Sequence, residues 1–332
     1  MAASNLWILR CPVEERPRAL EVLYQGLERR VRAALVAEAL EDARAGRVDL
    51  SGLWIARKPG WGTAEKLVGA ILTQSLSGRA AAVWPPQAAA SPWNRADVAE
   101  ALVKGALAGL RDSGVAIAQA VLDMESDPRG AIDLARGGMP RVTDLVYMRR
   151  DTRVPPSPPA RPPTPRTTLD WRGVEEAGDA VLRAVLTASY QGSLDMPEIE
   201  GARSLDDILE GHRGPTFENP ERWRLGFLPG ESEAVAALLL AAAADRDAWE
   251  VVYLGLAPRG RGRGLGDQAV THALSLARPH AKAIELAVDA RNAPAVGLYR
   301  RTGFVPFERR AVHLTVLART AVMPNAGAPP LP

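Results

Sequence analysis

The chain has 332 residues, 47% of them hydrophobic and 24% charged, with a formal net charge of +2 at pH 7. This composition is globular, is long enough for two ordinary domains, and gives no electrostatic reason to expect a nucleic-acid partner. Cys11 is the only cysteine, which excludes an internal disulfide framework and a cysteine-based metal cluster.

The opening, MAASNLWILRCPVEERP, lacks the apolar core of a signal peptide. No run reaches the roughly 20 apolar residues of a membrane helix. A cytoplasmic chain without membrane contact is the expectation. In the first half, KLVGAILTQ (66–74) and AAAVWPPQ (80–87) read as paired strands, and DVAEALVKGALAGLRDSG (97–114) as a helix. The stretch DPRGAIDLARGGMPRVTDLVYMRR (127–150) closes that half.

VPPSPPARPPTPR (154–166) holds seven prolines and no large apolar residue after its first valine. Proline fixes φ and lacks an N–H, so the segment favours an extended spacer over a core element. It divides the chain into domains at 1–150 and 167–320, with a linker at 151–166 and a disordered tail at 321–332. A ligand for an SH3-type module is the alternative reading of the prolines.

In the second half TTLDW (167–171) is a possible strand and VEEAGDAVLRAVLTASYQ (174–191) a helix. SLDDILEGH (204–212) opens with a capping-box pattern, Ser204 and Asp207. RWRLGFLP and AVAALLLAA read as strands on either side of the turn GESE, and WEVVYLGLAP (249–258) as a third. The helix GDQAVTHALSLAR (266–278), the strand AIELAVDA (283–290), the helix NAPAVGLYRRTG (292–303) and the strands FVPFER and VHLTVLA complete an α/β mixture.

The turn between WEVVYLGLAP and its helix carries glycines at 260, 262, 264 and 266 and arginines at 259, 261 and 263. Such a backbone approaches a ligand closely and points several N–H groups into one concavity, in front of a helix N-terminus. That suits a pyrophosphate, with the arginines as countercharge. Neither the Walker nor the Rossmann spacing is present. What is present is Arg-x-x-Gly-x-Gly, met by Arg261, Gly264 and Gly266.

That spacing after a strand resembles the acyl-coenzyme A loop of the GNAT acetyltransferase superfamily. A second stretch agrees: Asn292, Ala295, Leu298, Tyr299, Gly303 and Phe304 are similar to the family's later signature. The resemblance implies a mixed α+β sheet flanked by helices and transfer of an acetyl group from acetyl-CoA to an amine by direct attack. It implies that Arg261, Gly262, Arg263, Gly264, Leu265 and Gly266 hold the pyrophosphate, and that Leu254, Gly255 and Leu256 take the pantetheine arm. Tyr299 matches the family's general acid. Asn292 binds the pantetheine, caps its helix, or does both. Glu250 is either the general base or a solvated strand-end carboxylate; strict alternation puts it on one face with Val252, Leu254 and Leu256.

Asp195, Glu198 and Glu200 give the loop after the first helix an acidic character suited to a cationic amine, or mark an ordinary solvated loop. The four histidines are too scattered for a metal site, and no metal is assigned. The acceptor is a small-molecule or peptide amine. The alternative is a non-catalytic acyl-CoA-binding regulatory module.

Setting Gly138 on Gly303 places Asp127 on Asn292 and Leu134 on Tyr299. The first half thus resembles a second GNAT-like domain in tandem, degenerate because QAAASPWNRA (87–96) has no glycine and the tyrosine is gone. An α/β domain of another family is the alternative for that half.

Overall fold

The computed structural model describes residues 6–59, 65–89, 91, 94–154, 168–214, 220–243 and 246–318. Nearly all of the proline-rich spacer and of the tail lies outside these residues. The first half runs β1 (Trp7–Arg10), α1 (Arg16–Leu23), α2 (Arg29–Arg44), β2 (Leu53–Pro59), β3 (Glu65–Leu76), β4 (Ala80–Val83) and β5 (Gln87–Ala88). It continues with α3 (Arg95–Asp112), β6 (Ile117–Asp123), α4 (Pro128–Arg136) and β7 (Arg141–Asp151). The second half runs β8 (Asp170–Gly173), α5 (Val174–Ala177), α6 (Asp179–Tyr190), α7 (Leu205–His212), β9 (Arg224–Phe227), β10 (Ala234–Ala243) and β11 (Ala248–Leu256). Then come α8 (Leu265–Ala277), β12 (Ala283–Asp289), α9 (Ala293–Arg301) and β13 (Val305–Val316).

Local sequence explains these elements. In α3 the buried residues Val98, Ala99, Leu102, Val103, Ala106, Leu107 and Leu110 recur at helical spacing, and each buried leucine or valine stabilises the fold by about 1.5–3 kcal/mol. Eight consecutive residues of β10 are buried, as an apolar run covered on both faces requires. Ser204 and Asp207 close the expected capping box on α7. The helix expected over 174–191 breaks instead at Gly178, whose φ of +91° no α-helix contains. The two final strands expected from the sequence are one, β13, bent by irregularities at Pro306/Glu308 and Val312/His313.

The strands form one 13-stranded sheet in the order β1-β2-β3-β4-β6-β13-β7-β12-β11-β10-β9-β8, with β5 beside β3. Apart from β5 in the first half and an additional helix in the second, the two halves repeat one succession of elements, yet each gives its last strand away. β13 pairs with β6 of the first half, β7 pairs with β12 of the second, and β13 and β7 pair with each other, all antiparallel. A fourth contact follows: Ala116, Ile117, Ala202, Val312 and Leu314 share one apolar cluster, so the loop before α7 rests on strands of both halves. The turn between β3 and β4 also packs on α7. Gly78 (φ +74°) lies so close that a Cβ there would come within 2.0 Å of the Asp207 carbonyl oxygen. Among the described residues, no helix is long and apolar enough to cross a membrane.

Candidate active site

β11 and β12 run parallel and pair only at Ala248–Glu250 with Ala283–Glu285. Beyond that point β11 stays with β10 and β12 stays with β7, so the two strands part and leave facing edges. The cleft that opens between them is about 660 Å³ in volume.

Most of the residues singled out from the sequence meet there. Leu254, Gly255 and Leu256 come from β11, and Arg261, Gly262, Gly264, Leu265 and Gly266 from the turn and the start of α8. Asn292 and Tyr299 face them from α9. Arg263 and Glu250 do not line the cleft.

The turn is built as its glycines require. Gly262 and Gly264 have φ of +72° and +73°, and Gly264 is the N-cap of α8. The N–H groups of Gly260 and Arg261 are used inside the turn, donating to the carbonyls of Ala257 and Pro258. Among the described residues, the N–H groups of Gly262, Arg263 and Gly264 have no such acceptor, and the first N–H groups of α8 follow them. Gly266 lies against Leu298, whose methyl carbon a Cβ would approach to 2.9 Å, so α8 and α9 close tightly here.

Of the three arginines, Arg259 is neutralised by carboxylates, while among the described residues Arg261 and Arg263 donate only to carbonyls and keep their charge. Arg261 donates to the carbonyls of Leu256 (3.0 Å), Gly192 (3.4 Å) and Ser189 (2.9 Å), tying β11 to the loop after α6. Arg259 is paired with Glu231 and Glu233. The turn thus presents backbone N–H dipoles together with the charge of Arg261, whose guanidinium is fixed by its three carbonyls.

Tyr299 is only 7% exposed and packs edge-on against Phe304. Burial, and secondly the charge of Asp195, push its phenol well above the usual range, so it stays protonated. Asn292 caps α9, its side-chain oxygen accepting from the Ala295 N–H at 3.2 Å.

The acidic loop is largely spent on structure. Asp195 accepts from the Asp289 N–H (3.0 Å) and Asp289 from the Met196 N–H (3.1 Å). Glu198 is held by both terminal nitrogens of Arg291, at 2.6 and 2.9 Å. These two carboxylates fasten the loop to the end of β12 instead of offering free charge.

Strict alternation along β11 fails. Leu239 pairs with Tyr253 but Leu240 pairs with Val251, so Val252 is an extra residue and the faces switch. Trp249, Val251 and Leu254 pack toward α8 and α9, while Val252 and Tyr253 pack toward α6. Glu250 thus lies on the α6 face, opposite Leu254, where the strands are still paired. Its carboxyl is pushed above the usual range by burial; Arg246 opposes this and Glu285 adds to it.

The sequence reading missed Tyr253 and Ser189, which also line the cleft. Their hydroxyls are 2.8 Å apart. The Tyr253 oxygen lies over Gly255, where a Cβ would sit 2.4 Å from it, so the glycine is what lets the phenol lie flat along the strand. A tyrosine two residues before a glycine in the strand was the available signal.

The first half closes the corresponding place. Counting from Ala80 and Ala248, the first residues of the two parallel pairings, Pro85 and Pro86 stand where β11 has Tyr253 and Leu254. Neither proline has an N–H, and Pro85 packs against Gly130 of α4, where a Cβ would meet it at 2.9 Å. Arg95, at the start of α3, is paired with the buried Asp133 of α4.

Residues 195–304 match the family model described as the acetyltransferase (GNAT) family. Over 194 residues the chain is 30% identical to the mycothiol acetyltransferase of Beutenbergia cavernae, a match that covers 56% of this chain and 63% of that protein. The chain therefore spans less than two thirds of that relative's length. Over 65 residues it is 42% identical to a mycothiol acetyltransferase of Corynebacterium glutamicum, covering 19% of this chain and 22% of that one. The fold is similar to a GCN5-related N-acetyltransferase from Sphaerobacter thermophilus, with a TM-score of 0.56, 18% identity, and 96% and 98% of the two chains covered.

Proposed function

We propose that this chain, whose residues 195–304 match the acetyltransferase (GNAT) family model, transfers an acetyl group from acetyl-CoA to an amine. The observation that carries the reading is the pairing of two features in one cleft. One is a glycine turn with undirected N–H groups; the other is a buried, protonated tyrosine whose hydroxyl has no protein partner among the described residues.

These residues fit the donor. The N–H groups from Gly262 to Gly266 suit a pyrophosphate, and the free edge of β11 at Leu254–Leu256 suits a chain of amides. Bound there, acetyl-CoA supplies an activated acetyl group for attack by the acceptor nitrogen. Tyr299, held protonated by burial, is the proton donor for the departing sulfur. Glu250, on the face that α6 and the loop to α7 overhang, takes the proton of the amine through water, since it does not itself line the cleft.

A sensor of acyl-CoA would need the turn but not the tyrosine, which favours an enzyme over a non-catalytic module. The relatives named mycothiol acetyltransferase make a mycothiol-type small molecule the acceptor to try first. The test is a thermal shift with acetyl-CoA, followed by thiol release with that compound, glucosamine, spermidine and a lysine peptide. Stabilisation without thiol release from any amine would support the regulatory alternative. No stabilisation would remove the reading altogether.

A further inference from the structure

Resting on that reading, we propose that Tyr253 is the residue that holds the acceptor nitrogen, presenting its hydroxyl oxygen as a fixed hydrogen-bond acceptor above Gly255. The argument turns on where each nearby hydrogen points. Ser189 is buried, and its hydroxyl donates to the Leu186 carbonyl at 2.9 Å. Its one proton being committed, the 2.8 Å contact between Ser189 and Tyr253 has Tyr253 as donor.

The second neighbour, Tyr190, is within hydrogen-bond reach of Tyr253 but has another acceptor. The Tyr190 ring is 5.1 Å from that of Tyr253, and its hydroxyl is 3.0 Å from Nε2 of His212, at the end of α7. Burial, and then Arg203, push the imidazole down to about 4. It is neutral near pH 7, and in the tautomer with Nε2 bare it takes the Tyr190 proton. The third donor nearby, Arg261, has its guanidinium directed at three carbonyls.

Tyr190 thus has two acceptors in reach, His212 and Tyr253; with its proton given to His212 the Tyr253 oxygen keeps a free lone pair, while its own proton is drawn toward Ser189. Tyr253 itself lines the cleft beside the β11 edge. A group of that polarity accepts from N–H and rejects an oxygen or sulfur that can offer only lone pairs. It can hold one hydrogen of an amine while another is removed, which orients the nitrogen lone pair toward the acetyl carbon. The site would therefore select nucleophiles that keep a hydrogen to donate, primary amines above all.

Two measurements on the full-length chain test this. Neutron diffraction from perdeuterated protein should place the Tyr253 deuteron toward Ser189 and the Tyr190 deuteron toward His212. A deuteron from Ser189 or Tyr190 pointing at the Tyr253 oxygen would overturn the proposal, whatever the acceptor is. With glucosamine as the probe amine, Tyr253→Phe should raise the amine KM on the order of 10- to 100-fold, the loss of one hydrogen bond to a charged group. The acetyl-CoA KM should not move. Ser189→Ala, which frees the phenol to rotate, should raise the amine KM several-fold. An unchanged amine KM in Tyr253→Phe would also overturn it. If acetyl-CoA fails to stabilise even the wild-type chain, the acetyltransferase reading is at fault, and the deuteron positions still decide the role of Tyr253.

Discussion

The two halves share most of their order of elements but differ at the place where the second half has its cleft. Each has a parallel strand pair that opens a sheet, a helix after it, and a short helix capped by an acidic or amide side chain, Asp127 in one and Asn292 in the other. In the second half, six residues of β11 run on past the last parallel pair and lead into the glycine turn. In the first half two prolines stand at that edge, an ion pair ties α3 to α4, and a fully buried Leu134 occupies the place of Tyr299. The place of a cleft can thus be occupied by side chains without loosening the fold around it. The exchange of β7 and β13 explains why the filled half is still needed. It supplies the strand against which β12, one wall of the cleft, is paired.

The most drastic way to break this comparison is to break the exchange. Val146 in β7 pairs with Val288 on one side and Arg309 on the other, so neither edge of the strand is free. Val146→Pro should unfold both halves together, because a proline in a central strand removes a ladder bond and clashes. Wild-type unfolding by calorimetry should be a single transition. Two separated transitions, or a first half that folds alone with native stability, would make the halves independent.

Next in size is the turn that only the second half has. Gly264→Val places a β-branched residue at φ +73°, a conformation such side chains rarely adopt, and puts a side chain in the mouth of the cleft. Acetyl-CoA binding should be lost in calorimetry while the unfolding temperature falls by only a few degrees, roughly 1–2 kcal/mol of backbone strain. Full affinity in the variant would show that the turn is not where the phosphates sit.

The tyrosine that the first half lacks comes third. Tyr299→Phe removes one hydroxyl and keeps the ring against Phe304. It should leave acetyl-CoA affinity intact and lower kcat by roughly 10²- to 10⁴-fold. Wild-type turnover would reduce Tyr299 to a packing residue, like Leu134 at the matching position of the first half.

Much of this could be read from the chain, and the failures have physical causes. The glycine turn and the Asn292–Phe304 stretch were legible because each glycine and cap is a local backbone requirement. The repeat was legible at Gly138 and Gly303 for the same reason. Strand exchange was not, since β7 and β13 carry similar patterns and either could lie beside β6 or β12. The bulge at Val252 was hidden because it depends on register with β10, and it moved Glu250 to the other face. The partners of Arg261 and Glu198, the carbonyls around Ser189 and the distant Arg291, were not legible because they meet only in the folded chain.

The subtlest difference between the halves is the charge on the α6 face, and Glu250 tests it. Burial raises its carboxyl above the 4.5 of an unfolded chain. A group shifted upward contributes its stability below the unfolded value and loses it as pH rises through the folded value. At pH 7 the wild type therefore carries a half-buried charge that Glu250→Gln lacks. The variant should melt above the wild type at pH 7, and that advantage should vanish by pH 4. Its activity should move the other way. If the carboxylate takes the proton of the amine, kcat/KM should fall by about 10²-fold at pH 7, and the deficit should shrink above pH 9, where free amine is abundant. A structural carboxylate would give the opposite pair of results, with a lower melting temperature at pH 7 and an activity loss that pH does not change. Melting and rate measured on the same variant across pH thus separate a base kept at some cost to the fold from a residue that only holds it together.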